Sequence, residues 1–223
     1  MATISLYAYV EDEPSVAVAK RILTHVNQHA KVQFKFRPGF PDNKQGFGNI
    51  KRMLPALITM ARRGLPSLII SDLDRFPCSP ALIRDWMGLS EQQPLSIPKN
   101  LIFRIAEKEI ESWIMADRDA FSEFIGIPRD NFVLNPDLLK DPKQHLLNVI
   151  RKKGRKKWQK EMLPQGKIAA IGPRYNEKLC EFVSRYWNPM NAAKRSPSLA
   201  KALDAFQRIL NDYPVPEFPR ERG

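Results

Sequence analysis

Apolar positions in the first hundred residues follow two alternating rhythms, one of period two and one of helical period. Ile4 to Val10 alternates weakly and is rich in Tyr and Val, which predicts a strand. Pro14 to Gln28 places Val16, Ala19, Leu23 and Val26 at helical spacing, with Pro14 where a first-turn proline is tolerated. A second strand is predicted over Val32 to Arg37, with Val32, Phe34 and Phe36 on one face. Pro38 to Gly48 reads as a loop with glycines at 39, 46 and 48, and Asn49 as the cap of a helix from Ile50 to Arg63 that Gly64 ends. Pro66 to Ser71 is a continuous apolar run closing on Asp72, the pattern of a strand buried on both faces. A short helix over Pro80 to Met87 and a fourth strand over Leu101 to Ala106 complete an α/β pattern, a mostly parallel four-stranded sheet flanked by helices.

Beyond Ala106 the period is helical. Helices are predicted over Glu107 to Asp117, Arg118 to Ile125, Lys143 to Lys153, Asn176 to Tyr186 and Ser198 to Asp212, and the tail from Tyr213, with three prolines in eleven residues, reads as an extended arm. A boundary near 126 divides an α/β domain, 1–125, from a helical region, 126–223, which is either separate or packed on the same core.

With 223 residues and 43% apolar content the chain has ample material for a core, which excludes disorder. Its longest apolar runs, such as Leu65 to Ile70, fall far short of the ~20 residues of a membrane span, and the first ten residues lack the basic start of a secretory signal. The two cysteines, Cys78 and Cys180, are too far apart for a metal knuckle and read as buried free thiols. These features suit a cytoplasmic protein with no membrane partner. The net charge is +12 and unevenly placed: about neutral over 1–125 at +2, but +10 over 126–223. Such a field attracts polyanions, nucleic acid first and an acidic protein surface second.

Three acidic clusters sit at the C-terminal ends of predicted strands: Glu11, Asp12 and Glu13; Asp72 and Asp74; and Glu107, Glu109 and Glu111. In an open parallel sheet these ends share the edge where ligands bind, so the clusters are expected to meet. Their mutual repulsion calls for a hard divalent cation, and an oxygen-only set without His or Cys suits Mg²⁺ or Mn²⁺. In an extended segment Asp72 and Asp74 point the same way while Leu73 points into the packing, so both carboxylates can reach one metal. On the predicted helix Glu107 and Glu111 share a face, Glu109 points elsewhere, and Ile110, Trp113 and Ile114 form the docking stripe. His25 and His29 lie one turn apart but have no third ligand, and read as surface residues.

Strand-Glu-turn-helix followed by strand-Asp-x-Asp resembles the Toprim (topoisomerase–primase) superfamily, here as Tyr9-Val10-Glu11-Asp12-Glu13-Pro14-Ser15 and Ile69-Ile70-Ser71-Asp72-Leu73-Asp74. Glu109-Ile110-Glu111-Ser112-Trp113 and Lys194-Arg195-Ser196-Pro197-Ser198-Leu199-Ala200 look like a family of small bacterial Toprim-like proteins found beside ABC-type ATPases in phage-defence loci. The resemblance covers about 3–110. It implies a metal-dependent phosphotransfer site with Glu11 as general acid/base or ligand, Asp72 and Asp74 as Mg²⁺ ligands, and an ABC-type ATPase as partner; from the residues themselves, Glu111 is expected to close the site from the helix, with Glu109 as a further candidate ligand. Asp12 departs from the pattern, standing where Toprim proteins usually have a glycine.

Arg151, Lys152, Lys153, Arg155, Lys156, Lys157 and Lys160 put seven cations into ten residues without one acid, and Trp158 lies among them. The run reads as a phosphate-contacting patch in which Trp158 stacks on an unpaired base or anchors the segment to the core. Gly46-Phe47-Gly48-Asn49 before a helix is a weak phosphate cradle without the P-loop Lys-Ser/Thr, and the chain carries no ATPase motif. A metal-dependent nuclease acting on DNA or RNA in antiviral defence is the expectation, and a non-catalytic nucleic-acid or partner-binding module with a degenerate site is the alternative.

Overall fold

Four strands, β1 (Thr3–Val10), β2 (Gln33–Pro38), β3 (Ser67–Asp72) and β4 (Leu101–Ala106), form one sheet in the order β2-β1-β3-β4 with every neighbouring pair parallel. The computed structural model describes residues 3–28, 32–39, 47–166 and 168–213. His29, Gly46, the side chain of Phe47 and the proline-rich arm after Tyr213 lie outside those residues. The predicted α/β class and the four parallel strands are the ones observed.

The strand alternation divides the core in two. Leu6, Ala8, Val10, Leu68, Ile70, Ile102 and Ala106 point to one face, whereas Tyr9, Ile69, Leu101, Phe103 and Ile105 point to the other. Helices α2 (Phe47–Arg62) and α3 (Ser79–Met87) cover the second face through Leu54, Leu57, Leu82 and Trp86. Helix α1 (Glu13–Asn27) covers the first through Val18, Ile22 and Val26. One helix cannot cover four strands, and the later helices complete that layer. They are α4 (Glu111–Ala116), α5 (Arg118–Ile125), α6 (Pro142–Lys153), α7 (Lys157–Glu161), α8 (Tyr175–Arg185), α9 (Pro189–Ala193) and α10 (Pro197–Asp212).

Of these, α8 packs on α1 and α10 on both β4 and α1. Phe121 of α5 meets Phe182 of α8 edge-on at 5.0 Å. Trp113 of α4 is fully buried, donates from Nε1 to Ser198 Oγ at 2.6 Å, and accepts at its carbonyl from Trp187 Nε1 at 3.2 Å. The first-face core therefore runs without a seam from Leu6 to Leu210 across position 126.

Three local expectations are corrected. Asn49 lies inside the first turn of α2, which begins at Phe47, and that helix accommodates Pro55 in its interior. Cys78 precedes α3 and is exposed, because Pro80 in the first turn starts that helix without burying its flank. The helix expected from Glu107 begins only at Glu111: Lys108 adopts a left-handed φ of 65°, which breaks the helical path and removes Glu107 from the face of Glu111.

Candidate functional site

Strands β1 and β3 are neighbours, yet the chain leaves β1 for one side of the sheet and β3 for the other, so their C-terminal ends flank the crevice where the strand order reverses. Val10 pairs with Ile70, which sets Glu11 beside Ser71 and Asp72. Glu11 Oε1 accepts the hydroxyl of Ser71 and, at 2.9 Å, the backbone N–H of Asp72. Asp12, one residue on, caps α1 by accepting from Ser15 N at 2.9 Å and Ser15 Oγ at 2.6 Å. Its neighbour Glu13 starts α1 and is exposed.

Asp72 and Asp74 are not equivalent. Asp72 closes β3 and is 8% exposed, whereas Asp74 turns into the left-handed region at φ 49° and is exposed. The extended geometry expected for the pair ends at Leu73, which is fully buried and donates to Ala106 O at 3.0 Å. Asp74 is held by its own N–H on Lys108 O at 2.9 Å, so the two left-handed residues brace one another.

The third wall comes from the bend after β4. Glu111, 1% exposed at the start of α4, accepts from Tyr175 OH at 3.0 Å through Oε1, while its Oε2 is buried without a hydrogen-bond partner. Glu109 caps the start of α6, accepting the Lys143 backbone N–H at 2.8 Å. The Lys143 ammonium returns to the same two acids, 3.3 Å from Glu109 Oε1 and 3.7 Å from Glu111 Oε1. Thus Glu109 and Glu111 converge on one cation, although helical spacing points Glu109 away. Glu107 goes elsewhere, lining a groove of about 1310 Å³ along the free edge of β4 with Arg104, Lys201 and Arg208.

Burial dominates the electrostatics. It lifts the Asp72 carboxyl well above its ordinary range, and the charges of Glu11, Glu111 and Asp12 add to the shift while Lys143 opposes it. Burial also raises Glu11, against the two hydrogen bonds that favour its charged form. Glu111 is pushed up to about 7 by burial, again with Lys143 opposing. Burial works against the charge of Lys143, yet Glu111, Glu109 and Asp72 outweigh it and hold that ammonium above its usual value. Burial thus favours the neutral form of these acids, and Lys143 is the cation that works against it.

This donor set suits a hard divalent cation: carboxylates only, one orphaned buried oxygen, and no thiol or imidazole. Among the described residues no three His, Cys, Asp or Glu side chains gather tightly enough to enclose a metal. Mg²⁺ commonly takes only one or two carboxylates and completes its shell with water and substrate oxygens, so Glu11 and Asp72 are the pair that would hold it.

The basic run spans the last turn of α6, the link that carries Arg155 and Lys156, and α7. Arg151, Lys152, Lys153, Arg155, Lys156, Lys157 and Lys160 are all exposed, and among the described residues none forms an ion pair with an acid. Trp158 is half-buried against Phe124 at 5.9 Å, with the ammoniums of Lys178 and Lys156 over its ring at 5.2 and 5.8 Å. Gln159 pins the same turn by donating to Ile125 O at 2.6 Å. These two residues tie down the segment and leave its cations outward.

Lys143 and Tyr175 do not stand out in the pattern of the sequence. The one local signal is a lysine in the first turn of a helix, where the helix dipole disfavours a cation. No helix among the described residues is long and apolar enough to cross a membrane. No family model, curated protein or solved structure matches the chain.

Proposed function

We propose that the chain is a Toprim-like nuclease that hydrolyses phosphodiester bonds of DNA or RNA with Mg²⁺ or Mn²⁺, a cytoplasmic effector of antiviral defence under an ABC-type ATPase. The observation that carries the catalytic part is the seating of Glu11 on Asp72 across the switch point of the sheet. That contact turns two acids 61 residues apart into one site and leaves Glu11 Oε2 for chemistry. A divalent ion on this pair would polarise a phosphoryl oxygen and lower the pKa of a bound water. Glu11, whose carboxyl burial holds above its ordinary range, offers its free Oε2 as the group that takes and returns a proton. The seven exposed cations supply a polyanion track. The defence context and the ATPase partner rest on the resemblance alone.

A non-catalytic binding module is the rival reading, favoured by Asp12, whose Oδ1 is committed to capping α1 at the position where Toprim proteins usually have glycine. Labelled DNA and RNA incubated with Mg²⁺, Mn²⁺ or EDTA separate the two. The nuclease reading expects metal-dependent cleavage that falls ~10²-fold or more in Glu11→Gln. Salt-sensitive binding without cleavage of either polymer, with or without ATPase and ATP, leaves the binding module.

A further inference from the structure

We infer that Lys143 is a tethered cation standing where a second metal ion would sit, so that the crevice takes at most one divalent ion, on its Glu11 side. This rests on the metal-dependent reading above for the first ion but concerns a different part of the crevice. Asp72 donates its N–H to Glu11 and feels the charges of Glu11, Glu111 and Lys143, so the Glu11 pair and the Glu109–Glu111 pair belong to one crevice. Phosphoryl-transfer sites with two metals keep the ions ~3.5–4 Å apart with a carboxylate shared between them. Here the Glu109–Glu111 side already holds a cation at 3.3 and 3.7 Å, and it is an ammonium.

Lys143 is fixed in that place by its own backbone. Its N–H is bonded to Glu109 Oε2 at 2.8 Å, so the stem begins at one of the acids its ammonium serves. Asp141 caps α6 by accepting from Gln144 N at 2.7 Å, which orients the turn carrying Lys143. An ammonium brings one charge and donates hydrogen bonds, whereas a divalent ion brings two charges and requires oxygens closer than ~2.2 Å. Glu111 Oε2, buried and unpartnered, is the ligating oxygen that the ammonium leaves over. Removing the ammonium would leave Glu109 and Glu111, the two acids it now joins, as the carboxylate pair for a second ion that completes its shell with water.

Calorimetric titration of the full chain with Mn²⁺ alone, in wild type, Lys143→Arg and Lys143→Gln, tests this as a difference in stoichiometry. Lys143→Gln is expected to bind one more Mn²⁺ per chain than wild type, and Lys143→Arg the same number as wild type. The double variant Lys143→Gln, Glu111→Gln should lose the added ion, because the orphaned oxygen no longer carries charge. If Lys143→Gln is unfolded without metal, Mn²⁺ should restore its circular dichroism. If it is folded, saturating Mn²⁺ should raise its Tm by roughly 5–10 °C beyond the shift seen in wild type. Two ions in wild type, equal stoichiometry in wild type and Lys143→Gln, or an unfolded variant that Mn²⁺ does not rescue, would each overturn the inference. A wild type that binds no Mn²⁺ defeats the metal-dependent reading instead, and a single ion gained by Lys143→Gln would still uphold the role of Lys143.

Discussion

The Glu11 carboxylate accepts the backbone N–H of Asp72 at 2.9 Å, and Asp72 in turn is buried beneath it. A glutamate that binds the main chain of the neighbouring strand has its orientation set by the sheet and not by its own rotamer freedom. The same bond keeps two carboxylates together against their repulsion. The Ser71 hydroxyl, donating to the same oxygen, completes the seat.

Replacing Ser71 by Ala removes one of the two bonds that favour the Glu11 anion, and its carboxyl pKa should rise further. Carboxyl-detected NMR titration of wild type and Ser71→Ala gives the direct comparison. A lower Glu11 pKa in the variant would contradict the role assigned to the hydroxyl.

Stability of the metal-free protein should fall as pH rises from about 4.5 to 7. Glu111 has its pKa raised from 4.5 to about 7, so in that window the folded state binds more protons than the unfolded state and loses ground as they leave. The change attributable to Glu111 is on the order of 3 kcal/mol. Urea denaturation at several pH values should show this slope in wild type and a shallower one in Glu111→Gln, since Asp72 and Glu11, also raised, retain their share.

Two glycines should respond oppositely to alanine. A Cβ at Gly172 would lie 2.2 Å from Glu161 O and 2.4 Å from Leu163 O, both backbone atoms that cannot step aside, so Gly172→Ala should lower Tm markedly. At Gly48, exposed in α2, a Cβ meets nothing within 4 Å, and Gly48→Ala should stabilise by about 0.5–1 kcal/mol through helix propensity. Melting curves of the two variants suffice.

Trp113 joins the sheet layer to α10 through its bond to Ser198 Oγ at 2.6 Å. Ser198→Ala leaves a buried indole N–H without that acceptor and should cost ~1–3 kcal/mol, while Trp113→Ala should cost ~3–5 kcal/mol through the cavity. If 126–223 melts as a separate unit, Trp113→Ala should shift only one of two transitions. The continuous core predicts one cooperative transition that moves as a whole.

For the basic run, replacing Arg151, Lys152, Lys153 and Arg155 by Ser should weaken nucleic-acid binding about equally across sequences. The slope of log K against log salt should shrink by nearly one unit for each phosphate that no longer meets a cation. Affinity measured at several salt concentrations distinguishes this from a solvated surface, for which both quantities would stay at their wild-type values.

The strands, most helices and the acids at the strand ends were legible because each depends on local pattern. Burial of β3 on both faces is written in the run Ser67 to Ile70, and the end of α2 in Gly64 with its φ of 88°. The pairing of Glu11 with the Asp72 end of β3 followed from strand-end logic once a parallel sheet was inferred. Local pattern failed where a tertiary contact overrode propensity. Helical periodicity from Glu107 took no account of Lys108, whose left-handed turn is held by Asp74 from the adjoining strand end. Lys143 and Tyr175 reach Glu111 from 32 and 64 residues away, a distance no spacing rule spans. The sequence by itself determined which residues alternate, which are acidic and where the chain turns, since these are properties of neighbours along the chain. Only the tertiary structure decided which acids share a cation, because a buried charge is set by whatever packs beside it, and here that was α6 and α8 folding back over the sheet.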